Sequence, residues 1–330
     1  MNTASMLSTT GDFFKPSSPL KTAVLFLVFN RPEVTAQVFE AIRQAKPPRL
    51  YVSADGPRAN RPGEAERCAE VRRITTAVDW PCEVKTLFRE KNLGCKAGVS
   101  SGISWFFENE EEGIILEDDC LPSQSFFWFC EALLEKFRND QRVWHVCGSA
   151  FVAELATLKR EASYVFSKYG PIWGWASWRR AWAHYDSELP NWPRMKEKLW
   201  LDSAYGDENE KKGRILLGDK LYQKEIDTWD YQWGFVKNYQ SALSIVPTQN
   251  LIVNIGFGAD ATHTTTGDTP LQAKREMEFP LIHPVFILAD AEHDRLYRQT
   301  NGVGSKNGIL IKGYKLVLRT LRACLTKNNK

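Results

Sequence analysis

Five short strand-like runs, spaced by stretches with helical patterning, constrain what this chain can fold into more than any other feature. The runs at 23–29, 50–53, 83–88, 113–116 and 143–147 have the length and composition of strands. Between them, residues 33–43, 64–78, 98–109 and 126–137 repeat apolar side chains at helical spacing. Strands that alternate with helices of about ten to fifteen residues build right-handed βαβ units. The expectation is an α/β fold with a mostly parallel central sheet flanked by helices.

Beyond residue 150 the pattern is less regular. Residues 173–185, 195–200 and 217–225 read as helical and 244–247 and 251–255 as strands, before the flexible Gly256-Phe257-Gly258. The reading is one composite domain: 21–150 an α/β half, 151–270 a second half, and 271–330 a C-terminal extension. Residues 1–20, polar and rich in Ser and Thr, read as a disordered leader.

Composition narrows the class. With 43% apolar and 25% charged residues the chain is an ordinary soluble globular protein. A net charge of +3, without a basic run interleaved with aromatics, argues against nucleic acid. Seven cysteines, with no Cys-x-x-Cys pair, read as reduced thiols rather than disulfides or a zinc site. The run 23–29 is too short to cross a bilayer. A cytoplasmic protein is expected.

The apolar run at 113–116 ends in Glu117-Asp118-Asp119. Three adjacent carboxylates repel one another, and burying them costs desolvation energy. A divalent cation reverses that cost, whereas a solvated turn avoids it. Polar residues also follow the other strand candidates: Asn30-Arg31 the first, Asp55 the second, Arg89 and Asn92 the third. Each alone suits a turn. Together they fall where open α/β sheets bind ligands, beyond the carboxyl ends of the strands. Arg offers a fork for phosphate oxygens, and Asp55 can accept from a base N–H or a ribose hydroxyl. Neither a dinucleotide Gly-x-Gly-x-x-Gly after the first strand nor a P-loop is present, so a nucleotide would be held by carboxylates, arginine and a metal.

These residues resemble the nucleotide-diphosphosugar glycosyltransferases of the GT-A fold, and among them N-acetylglucosaminyltransferase I and its bacterial relatives. Residues 24–34, with Phe29-Asn30-Arg31, resemble that family's first nucleotide-binding strand and turn. Val52-Ser53-Ala54-Asp55-Gly56 resembles the second, whose Asp contacts uracil, and 92–107 resembles the segment that closes over the base. Ile115-Leu116-Glu117-Asp118-Asp119, running on to Phe126-Phe127, matches the metal-binding strand and the helix after it. The similarity covers roughly 22–265 and is most specific over 110–150.

The resemblance implies a Rossmann-like GT-A sheet with a C-terminal lobe, a donor nucleotide sugar (a UDP-sugar), and inverting transfer to a glycan or glycolipid hydroxyl. It implies Asp119 as ligand of Mn²⁺ or Mg²⁺, Asp118 as ribose contact, Glu117 as donor-sugar contact and Arg31 as phosphate contact. Phe29, Asn30, Asp55, Arg89, Asn92 and Lys96 complete the implied nucleotide site. The family's acceptor base lies at a helix start after a Trp, which here falls in Asp227-Thr228-Trp229-Asp230. Asp230 is the choice for that role and Asp227 the alternative, while an N-cap role would suit the same spacing. His263 lies in a loop that resembles the family's closing segment, where some members place a metal ligand.

Two further stretches stand apart. Trp175, Trp178 and Trp182 share one helical stripe and read as core, leaving Trp173 and Trp175 as candidate sugar contacts. Residues 308–325 put apolar positions on one helical face and Lys312, Lys315, Arg319 and Arg322 on the other. That pattern fits either an interfacial helix on the inner face of an anionic membrane or packing onto the domain itself. The competing functions are a sugar-1-phosphate nucleotidyltransferase, disfavoured by the missing glycine loop, and a non-catalytic glycan-binding protein.

Overall fold

The structure is a computed structural model that describes residues 14–151, 161–256 and 273–301. Its first strand, β1 (Val24–Val28), is buried along its whole length, as a strand covered on both faces must be. Then come α1 (Pro32–Ala45), β2 (Arg49–Ala54), α2 (Glu64–Thr76), β3 (Glu83–Phe88), α3 (Gly94–Asn109) and β4 (Glu112–Glu117). α1 begins on Pro32, whose missing N–H costs nothing in the first turn. It turns Val38, Phe39, Ile42 and Ala45 inward and ends at Lys46 in the left-handed region. β2 and β3 lie on one side of β1, and the chain then crosses back to set β4 on the other, all four parallel. That reversal opens a crevice between the carboxyl ends of β1 and β4.

The second half extends the same sheet. After β5 (Cys120–Pro122), α4 (Ser125–Phe137) and β6 (Val143–Cys147) come β7 (Tyr164–Ser167), β8 (Trp175–Trp178) and α5 (Arg179–Trp182). Next are α6 (Trp192–Met195), α7 (Lys198–Ala204), α8 (Glu208–Tyr222), α9 (Asp230–Tyr239), β9 (Leu243–Pro247), β10 (Ile252–Asn254) and α10 (Ala291–Asn301). The eight strands run in the order β3-β2-β1-β4-β8-β6-β9-β7. Only β8 and β7 oppose the rest, so the sheet is mixed but mostly parallel, as expected. β5 and β10 pair as a separate two-stranded ribbon just past the end of β4.

Strand alternation sorts the core onto the two faces. Val24, Phe26 and Val28 pack with α1 and α4, while Leu25 and Leu27 pack with α3 and five tryptophans, Trp144, Trp175, Trp182, Trp229 and Trp233. The stretch read as one helix over 173–185 is instead β8 followed by the short α5. A three-residue spacing puts Trp175 and Trp178 on opposite faces of a strand, and they indeed join different cores. Trp175 is fully buried, which removes it as a sugar-stacking platform, whereas Trp173 is half-buried against Phe151. Residues 14–20, read as part of the leader, pack on the domain: Phe14 meets Trp128 and Phe279, and Leu20 is buried. Two apolar side chains are enough to hold a short polar stretch down. None of the six described cysteines is in a disulfide. Among the described residues no helix is long and apolar enough to cross a membrane.

Candidate active site: a carboxylate cluster in the β1–β4 crevice

Glu117 is the last residue of β4, and Asp118 and Asp119 follow it into the crevice. Arg31, between β1 and α1, reaches across from the neighbouring strand. Its Nε donates to Asp118 Oδ2 at 3.3 Å, its Nη2 donates to Asp118 Oδ1, and the same nitrogen lies 3.1 Å from Asp119 Oδ2. Burial alone would lower the Arg31 pKa, but Asp118 and Asp119 outweigh it and raise it. Asp118 is pushed above the ordinary aspartate range, by burial first, against the pull of Arg31. Glu117 is pushed up to about 8 by burial, with Asp119, Asp118 and Asp230 adding their repulsion. Its Oε1 is buried without a hydrogen-bond partner. A Cβ on Gly256 would come within 2.2 Å of Asp119 Oδ2 and 2.7 Å of Arg31 Nη1, so a side chain there would displace this pair.

The opposite wall is the start of α9. Asp230 is its first residue and accepts from Thr228 Oγ1. Cys95 and Tyr185 share this space: burial first, then the neighbouring carboxylates including Asp230, hold the Cys95 thiol well above its usual range. Burial does the same for the Tyr185 hydroxyl. Asp227 is used differently. Its Oδ2 accepts from the backbone N–H of Cys95 and its Oδ1 from that of Lys96, both at 3.0 Å. It thereby caps the positive end of α3 from 131 and 132 residues away.

The remaining sequence-derived residues fall into three groups. Asp55 accepts from Gly56 N (2.8 Å), Asn92 Nδ2 (2.9 Å) and Leu93 N (3.0 Å), and burial raises its pKa against those bonds. It holds the β3–α3 loop. Phe29 and Asn30 face the β2–α2 loop: Arg58 lies over the Phe29 ring, and Asn30 Nδ2 donates to Glu64 Oε1 at 2.9 Å. Arg89, just past the end of the outer strand β3, donates to Ser101 Oγ of α3 at 2.6 Å, and Lys96 Nζ donates to Glu188 Oε1 at 2.6 Å. Arg31, Glu117, Asp118, Asp119 and Asp230 therefore form one electrostatic group, with Asp55 and Asn92 beside it on the β2 side. His263 and the segment read as a closing loop lie outside the described residues, as does 308–325. Sequence reading missed Thr228, Cys95, Tyr185 and the tight approach of Gly256. Of these, Thr228, Gly256 and Cys95 sat in stretches already singled out.

Among the described residues no group of three or more His, Cys, Asp or Glu side chains is arranged to hold a metal ion. No protein-family model matches the chain, and no curated protein matches it. Among solved structures, the chain is similar to a UDP-glucose pyrophosphorylase complexed with UDP-glucose, at a TM-score of 0.26 and 10% identity. The match covers 46% of this chain and 64% of that one, so the chain spans less than two thirds of its neighbour's length.

Proposed function

We propose that this chain is a glycosyltransferase that moves a sugar from a nucleotide diphosphosugar, a UDP-sugar, to a hydroxyl of a glycan or glycolipid. The observation that supports the reading is the carboxylate group of Glu117, Asp118 and Asp119 at the switch point of the sheet, with Asp230 facing it. In this reading Asp55 and Asn92 receive the base, Asp118 the ribose, Arg31 a phosphate and Glu117 a sugar hydroxyl. Asp230 takes the proton of the acceptor hydroxyl as that oxygen attacks the anomeric carbon. The bond from that carbon to the diphosphate breaks on the opposite face, which inverts the configuration.

Glu117, Asp118 and Asp119 are hard oxygen donors of the type Mn²⁺ or Mg²⁺ takes, and one buried Glu117 oxygen has no hydrogen-bond partner, although among the described residues no three such side chains converge on one point. Asp119 would hold it, with His263 as the further candidate ligand. When bound, the cation neutralises charge on the departing nucleoside diphosphate.

The test is a calorimetric screen of nucleotide sugars with and without Mn²⁺, followed by transfer assays on Asp119→Ala and Asp230→Asn. Removing a general base costs about 10²- to 10⁴-fold in rate, so Asp230→Asn should keep its fold and lose transfer on that scale. Near-normal turnover would take Asp230 out of the mechanism. Pyrophosphate release from a sugar-1-phosphate and a nucleoside triphosphate would replace the whole reading with nucleotidyl transfer.

A further inference from the structure

Eleven large apolar side chains are exposed among the described residues, and five of them fall within ten positions: Phe279, Ile282, Val285, Phe286 and Leu288. Val285 is 87% exposed, and Phe286 and Leu288 are each 71% exposed. This is not a frayed segment. Ser163 N donates to Ile282 O at 2.8 Å, Ile282 N donates to Ser163 Oγ at 2.9 Å, and Asp290 N donates to Phe166 O at 2.7 Å. Tyr164 Oη and His283 Nδ1 share a hydrogen bond of 3.1 Å. Leu281 and Ile287 turn inward onto the main core. The strap is thus pinned to the edge strand β7 by its inward residues, and that anchoring presents the outward ones to solvent.

Its chemistry narrows what can cover it. A contiguous apolar patch of this kind marks an interaction surface. No acid occurs between Phe279 and Ala289, and Pro280 and Pro284 lack the N–H groups with which a second chain would pair as a strand. Residues 302–330 carry seven lysines and arginines and no acid, so the 301 residues before them sum to −4 of the chain's net +3. α10 begins three residues after Leu288 and spans eleven residues, so the basic stretch starts within roughly 20 Å of the strap's end.

We propose that the strap inserts its outward apolar side chains into a lipid surface, an anionic one given the seven basic residues that follow α10 in the sequence. One apolar contact or one basic segment gives marginal attachment; the two together make it stable. The proposal is independent of the reaction the protein catalyses.

Co-sedimentation of the full chain with vesicles tests it, using phosphatidylcholine alone and phosphatidylcholine with phosphatidylglycerol, at low and high salt. Wild type should pellet with the anionic vesicles and be released by salt. Val285→Ser/Phe286→Ser/Leu288→Ser, all at exposed positions, should weaken binding by about tenfold or more, as should truncation after Asn301. Equal pelleting of the strap variant and wild type would overturn the proposal. So would binding to neutral vesicles that improves on truncation, which would mean that the strap's occupant is the C-terminal stretch itself. A loss of dimer mass in the strap variant, without any vesicle binding by wild type, would assign the surface to a second copy.

Discussion

Replacing Arg31 by Met keeps an apolar stem in the β1–β4 crevice and removes the charge that holds Asp118 and Asp119 together. Breaking a fully buried ion pair by deleting one partner costs about 3–5 kcal/mol. Here 21% of the Arg31 side chain and 16% of the Asp119 side chain remain exposed, and solvent screening brings the expectation to about 2–3 kcal/mol at pH 8. The loss must depend on pH. Burial and the neighbouring acids push Glu117 up to about 8, and burial raises Asp118 above the ordinary aspartate range against the pull of Arg31. As the pH falls toward 5 the folded protein takes up a proton on Glu117 and begins to neutralise the rest of the cluster, so the guanidinium has less charge to offset and the expected loss falls below about 1 kcal/mol. The assay is urea unfolding in EDTA at both pH values, followed by tryptophan fluorescence, since five tryptophans share one core. Mn²⁺ or Mg²⁺ at pH 8 should then stabilise the Met variant more than wild type, by supplying the missing positive charge. An equal loss at both pH values, with no differential response to cation, would refute the electrostatic argument. It would assign Arg31's contribution to packing under Gly256.

Two further substitutions probe the same framework. Asp227→Ala should cost about 1–2 kcal/mol by uncapping α3 and Asp227→Asn about half of that, since one carbonyl oxygen can serve one of the two N–H groups. An unchanged urea midpoint in the Ala variant would remove the cap. Lys237 is buried, its Nζ donating to Ser244 Oγ at 2.7 Å, and burial lowers its pKa to about 8 from an ordinary 10.5. A base whose folded pKa is depressed destabilises the fold fully below about 8, and the penalty fades as pH rises toward 10.5. Lys237→Met should therefore gain on the order of 2–3 kcal/mol at pH 7 and little near pH 10, and a gain that does not vary with pH would contradict this.

The half at 21–150 was legible because most of its strands are buried on both faces. β1, β2, β4 and β6 read as continuous apolar runs, and each helix between them carries an inward stripe. The second half hid its elements for identifiable reasons. β8 contains two tryptophans at a spacing that suits a helix as well as it suits opposite faces of a strand. The first turns of α8, Glu208 to Arg214, are mostly charged and show no apolar face. β5 and β10 have only three residues each and exist through their pairing. At the site, strand-end positions followed directly from reading the strands. The uses of the side chains did not, because the bond from Asp227 to α3 and the contact of Gly256 with Asp119 join residues far apart in sequence and leave no local pattern.

The different uses of Asp227 and Asp230, three residues apart, follow from what surrounds the loop at 92–96. Asp55 grips that loop at Asn92 and Leu93, and Asp227 grips it at Cys95 and Lys96. Gly94 stands between the two grips at φ 83°, and a Cβ there would come 2.5 Å from Asp227 Oδ2, so any other residue would both strain the turn and dislodge the cap. Trp229, stacked 5.7 Å from Trp175, fixes the chain on the far side. With its backbone pinned by the cap before it and by the tryptophan core beside it, the chain delivers Asp230 to the mouth of the crevice opposite Glu117. One carboxylate is committed to joining the two halves of the domain, and that commitment fixes the backbone that carries the other.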